Sequence, residues 1–143
     1  MSVTHYWRRP TELPAAAFAK AASDCRQVLQ AADVDVAGFD GQGEPLLTAE
    51  RIVFNGRSPR ACEPFEIAAV EFDRHGRPEV RSYCKTQLLP YDVTVKAVLV
   101  VLAHHLAGSL AVTSDQPAEE WAGAMRLVEG ELGYGQAFEL RRD

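Results

Sequence analysis

The segment that most restricts this chain lies at 93–107, where Val93, Val95, Val98, Val100 and Val101 accompany an unbroken apolar run over 97–103. β-Branched residues favour a strand, but the segment is far longer than an ordinary strand, and length decides for a helix. The unbroken run is seven residues, well short of the roughly twenty that a membrane span needs. Pro90 precedes the segment, Asp92 is a good N-cap, His104 and His105 fall in the last turn, and Gly108 suits the position after the end. A helix apolar around nearly its whole circumference must be covered on more than one side, so the rest of the chain has to wrap it.

The chain of 143 residues is long enough to do so as a single domain over 1–143. Apolar residues make up 47% and charged residues 24%, a globular mixture rather than a disordered one. The net charge is −5, and outside residues 51–85 eight Lys/Arg face fifteen Asp/Glu, which argues against nucleic acid as the main partner. Within 51–85, Arg57, Arg60, Arg74, Arg77, Arg81 and Lys85 form a local basic excess that is read as a solvated face. Cys25, Cys62 and Cys84 are widely spaced, so free thiols in a reducing, cytoplasmic compartment are expected. Residues 1–10 lack the apolar run of a signal peptide.

Along the chain, a strand over 3–7 should give way at Pro10 and Pro14 to a helix over about 14–32, whose apolar positions Phe18, Ala21, Ala22, Cys25, Val28, Leu29 and Ala32 share one face. A turn at 40–43, a strand at 51–54 ending in Asn55-Gly56, and an irregular loop over 55–64 follow. Residues 65–72 and 79–84 flank Asp73-Arg74-His75-Gly76-Arg77 and are expected to pair as an antiparallel hairpin. A short strand at 109–113 precedes a last helix, capped at Asp115, with a buried stripe of Trp121, Met125, Val128 and Leu132 and an end at Gly133. Residues 137–140 are expected to return as an edge strand. The expected fold class is α+β, about three helices packed on one curved, mostly antiparallel sheet.

For chemistry, the segment 83–92 stands out because Tyr83, Cys84, Lys85, Thr86, Tyr91 and Asp92 join a strand end to the start of the buried helix. A ligand cleft there would be completed by Asn55, Arg57 and Arg60 if their loop folds over the helix start, guanidinium groups being suited to oxyanions. The plainer account is a buried strand cysteine, a solvated lysine and an ordinary cap. A thiol nucleophile needs an oriented histidine beside it; Asp92 and His104 are twelve residues apart on one helix, about 18 Å, so Cys84, His104 and Asp92 cannot form a triad. His5 and His75 remain, with nothing in the sequence to choose between them. His104 and His105 diverge by about 100° on a helix, and no metal site or cofactor motif is found; the glycines at 41, 43, 133 and 135 fit turns rather than phosphate loops. Trp7, Trp121, Tyr134 and Phe138 suit a core and an oligomer interface equally.

Tyr83-Cys84-Lys85-Thr86, Pro90-Tyr91-Asp92, His104-His105 and Thr113-Ser114-Asp115 together resemble a pattern in small uncharacterised bacterial proteins, over residues 83–115. The resemblance implies a bacterial cytosolic origin and assigns no activity. With no constellation of workable spacing, the expectation is a non-catalytic binding or accessory protein that recognises another protein or itself as a homodimer. The alternative is a small-molecule-binding domain or enzyme with its cleft at 83–92. No membrane association is expected.

Overall fold

The computed structural model describes residues 3–142; Met1, Ser2 and Asp143, the ends of the expected domain, lie outside them. The elements in order are β1 (Thr4–Pro10), α1 (Ala15–Ala31), β2 (Val36–Ala37), β3 (Leu46–Leu47), β4 (Arg51–Gly56), β5 (Phe65–Ala68), β6 (Glu79–Lys85), α2 (Asp92–His105), β7 (Ala111–Ser114), a 3-10 turn (Ala118–Trp121) and α3 (Ala122–Leu132). The fold class is α+β, as the alternation of helical and strand periodicities implies, with the strands divided between two antiparallel sheets rather than gathered in one. The first sheet has the order β6-β1-β7; in the second, β4 pairs with β2, β3 and β5.

The segment 93–107 is helical as far as His105, with 106 and 107 in the turn that follows, and this helix is the centre of the molecule. Val95 and residues 97–102 are buried, with α1 and α3 packed on α2 and β7 also against it. One cluster of buried side chains takes members from all three helices and both sheets. The sheets meet where Trp7 of β1 lies against Phe65 of β5, ring centroids 5.0 Å apart, and Phe65 in turn against Phe54 of β4. Arg9, 1% exposed, continues this seam: its guanidinium donates to the carbonyls of Thr11, Ala68 and Ala69 and pairs with Glu71 at 3.1 Å.

The expected hairpin between 65–72 and 79–84 is not formed. Phe65 pairs with Phe54 and Ala68 with Arg51, whereas β6 runs along β1 from Thr4↔Lys85 to Pro10↔Glu79. Residues 69–71 leave the sheet because Arg9, Thr11 and Leu13 hold their backbone. Asp73 still closes a turn by accepting from the His75 and Arg77 N–H groups. Nor do residues 137–140 form a strand; the Arg141 N–H donates to Val112 O at 2.8 Å. Gly133, at φ +80°, ends α3 in the left-handed conformation that its missing Cβ permits.

Two expected caps are also absent, and both carboxylates serve tertiary contacts instead. The N-cap of α2 is Tyr91, and Asp92 is the first helical residue. Asp115 accepts from the Thr4 N–H at 3.0 Å and the Tyr6 hydroxyl at 3.1 Å, tying β1 to the end of β7.

Candidate functional site

The pleat of β1 places His5, Trp7 and Arg9 on its inward face. His5 stands in register with Cys84 on β6 and with Ser114 on β7, so all three side chains start from the same face of the sheet, over the first turn of α2. His5 Nε2 lies 2.7 Å from Asp92 Oδ1, and His5 Nδ1 lies 2.8 Å from Ser114 Oγ. Asp92 also accepts from Thr86 Oγ1 at 2.5 Å and pairs with Lys96 Nζ at 2.9 Å, one helical turn on. Lys96 Nζ donates further to Glu120 O at 2.9 Å and stands 6.0 Å from the centre of the Trp121 ring.

His5 is 0% exposed, and Asp92 and Lys96 are 6% exposed each. Burial alone would raise the Asp92 carboxyl, but the bonds from His5, Thr86 and Lys96 outweigh it and hold the group down at about 2. The ionised carboxylate only accepts, so when the His5 ring carries a single proton that proton belongs on Nε2. Nδ1 then offers a lone pair, and the Ser114 hydroxyl donates to it. Ser114 Oγ meanwhile accepts from the Gln116 N–H at 3.0 Å. The hydrogen-bond directions therefore run from Ser114 through His5 to Asp92.

Ser114, half-buried, is the end of this relay that reaches a cleft of about 460 Å³ between α3, the 3-10 turn and residues 138–142. Trp121, Met125 and Phe138 supply its apolar wall, and Arg141 and Arg142 stand at its rim, both exposed. Trp121 links cleft and relay: its ring packs edge-on against His5 with centroids 5.1 Å apart and stacks with Phe138 at 5.1 Å. Gln116 Oε1 and Trp121 Nε1 are buried without a hydrogen-bond partner, an uncommon condition for buried polar atoms.

The residues singled out in the sequence are placed differently from a cleft at 83–92. Cys84, Thr86 and Tyr91 are wholly buried. The Cys84 thiol donates to Glu63 O, the Tyr91 hydroxyl donates to the same carbonyl at 2.6 Å, and burial first, then the charge of Glu63, pushes the thiol far up. Tyr83 points to the opposite, outer face and is 62% exposed; Lys85, two residues on, is half-buried. The 55–64 loop does fold over the helix start, but it packs there as structure. Asn55 donates to Phe39 O and Cys62 O and accepts from the Cys62 N–H, Arg57 pairs with Asp35 at 2.9 Å and donates to Val36 O and Gly43 O, and Arg60 is exposed.

Of the sequence candidates, the structure thus gathers Thr86 and Asp92 into the relay and leaves the others outside it. Lys96, Ser114, Gln116 and Trp121 were not among the site candidates, and His5 was one only as a base for a thiol, with nothing to prefer it to His75. Two signals were present: an Asp92 and Lys96 pair four residues apart inside an apolar helix, and a histidine alternating with Trp7 on an inward strand face. His105 joins a separate contact, with Asp24 at 2.7 Å and the Tyr134 hydroxyl at 3.2 Å, while His104 stacks on Tyr134 at 3.7 Å. Among the described residues no group of three or more His, Cys, Asp or Glu side chains is placed to hold a metal ion, and no helix is long and apolar enough to cross a membrane. Comparison with protein-family models, curated proteins and solved structures gives no match for this chain.

Proposed function

We propose that this protein binds a small amphiphilic molecule in the cleft beside Ser114. The observation behind this is the pair Gln116 Oε1 and Trp121 Nε1, one acceptor and one donor, both buried, both unpartnered and both on residues that line one cleft. Unpaired buried groups cost about 1–3 kcal/mol each; neither atom is exposed, so a ligand with complementary polar atoms recovers that cost by opening the cleft wall to reach them. The apolar wall of Trp121, Phe138 and Met125 suits an aromatic or short aliphatic part, and Arg141 and Arg142 suit an anionic group at the rim.

The two tryptophans provide the test. Trp7 Nε1 is also unpartnered, but Trp7 lies in the core between the sheets and not on the cleft. Titration with phenylacetate, followed by the two indole N–H resonances, should move the Trp121 signal saturably and leave Trp7 in place. An unmoved Trp121 signal at saturating phenylacetate, or equal movement of both, would overturn the proposal.

A second reading, recognition of another copy of the chain, is supported by the outer face of the first sheet. There Tyr6 and Tyr83, 40% and 62% exposed, stand opposite each other in register and form an aromatic patch of the kind enriched at interfaces. Sedimentation equilibrium should show a dimer that Tyr83→Lys weakens; a monomer at every concentration would dismiss it. The three unpaired cysteines support a reducing, cytoplasmic setting.

A further inference from the structure

We infer that Ser114 is an acyl-accepting nucleophile and that the cleft takes esters of small carboxylic acids; this rests on the cleft being a ligand site. Two observations converge on Ser114. Its hydroxyl donates to a histidine whose far nitrogen is held by a buried carboxylate, the arrangement by which a serine is activated. Its oxygen accepts a backbone N–H from Gln116, which steadies the alkoxide as the proton leaves.

Thr86 and Lys96 act at one remove. With both bonded to Asp92, the carboxylate is fixed and stays ionised as the imidazole gains a proton. The trigonal carbonyl carbon of an ester bonds to Ser114 Oγ while the hydroxyl proton passes to His5 Nδ1. Collapse of the tetrahedral species breaks the bond to the leaving oxygen, which takes that proton and departs as an alcohol. Water then adds to the acyl-serine, gives one proton to His5, and the carbon–Oγ bond breaks to release the acid and restore the hydroxyl. His5 is wholly buried behind Ser114, so water reaches its free nitrogen only past the acylated oxygen. Acylation should therefore outrun deacylation, and the acyl-serine should accumulate.

The experiment uses the full chain with an alkyl fluorophosphonate, which transfers its phosphonyl group to an activated serine with loss of fluoride. Intact-mass analysis and peptide mapping should find one adduct per chain, on Ser114. Ser114→Ala, which leaves the buried His5 Nδ1 without its partner and so should lower the melting temperature without preventing folding, should take no label. His5→Gln should slow labelling by roughly 10²-fold or more, the usual worth of a general base, and if it does not fold, Thr86→Val provides a milder loosening of Asp92 that should slow it less. With 4-nitrophenyl acetate, a burst of one nitrophenolate per chain should coincide with an acetyl group on Ser114. No adduct while phenylacetate still shifts Trp121 would overturn the nucleophile and leave the binding site standing. Labelling that persists in Ser114→Ala would overturn it equally, and loss of both labelling and the Trp121 shift would remove site and reaction together.

Discussion

Asp92 ties β1, the residue after β6 and α2 together through His5, Thr86 and Lys96. Its carboxyl is held at about 2 in the folded chain, below the ordinary value near 4 of an unfolded aspartate. A group with a depressed folded value contributes stability above its unfolded value, and that stability is lost as pH falls through the folded one. The shift corresponds to on the order of 2 kcal/mol, present at neutral pH and disappearing between about pH 4 and pH 2. Denaturant unfolding of the native chain and of Asp92→Asn across that interval should show a shallower pH dependence in the variant. Removing the other half of the pair is worse than neutral, because it strands a buried carboxylate. Lys96→Met should lose about 3 kcal/mol, measured as a lower urea midpoint with an unchanged slope; a loss below 1 kcal/mol would mean that His5 and Thr86 satisfy Asp92 alone.

At the scale of elements, the loop after β4 sets how closely the second sheet approaches α2. Gly56 ends β4, and a Cβ there would collide with the carbonyl oxygen of Arg60 and stand 2.9 Å from Tyr91 Cδ1. Backbone cannot yield as a side chain can, so Gly56→Ala should cost about 1–3 kcal/mol and disturb the Tyr91 hydroxyl bond to Glu63 O, giving an altered near-ultraviolet tyrosine signal and a lower melting temperature. Full retention of both would show that the loop can shift at little cost. The outer helices were legible from their periodicity, and α2 from its length and its terminal residues. Strand partners were not: residues 65–72 and 79–84 carry strand-like sequences on either side of a good turn, yet β1 takes β6 while β4 takes β5. Local turn chemistry permits a hairpin but does not compel one when each strand has a longer or better-buried partner elsewhere.

For the whole molecule, a core shared by three helices and two sheets implies that its buried thiols are exposed together. Cys25 on α1 and Cys84 on β6 are wholly buried, whereas Cys62 is half-buried in the loop after β4, and burial raises both buried thiols far above the usual range. An aromatic disulfide reagent should modify Cys62 first, and Cys25 and Cys84 later at one common rate equal to that of global unfolding. Prompt reaction of Cys84 alone would show that the first sheet opens by itself. The sequence determined by itself the α+β class, the three helices and the central place of α2, because hydrophobic periodicity and the Pro and Gly punctuation are local properties. Only the tertiary structure decided which strands pair and which polar side chains meet. His5, Asp92 and Ser114 are separated by 87 and 109 residues from His5 onward, and no local pattern records a contact across such distances; the pairing of β1 with β6 on one edge and β7 on the other, above the first turn of α2, brings them together.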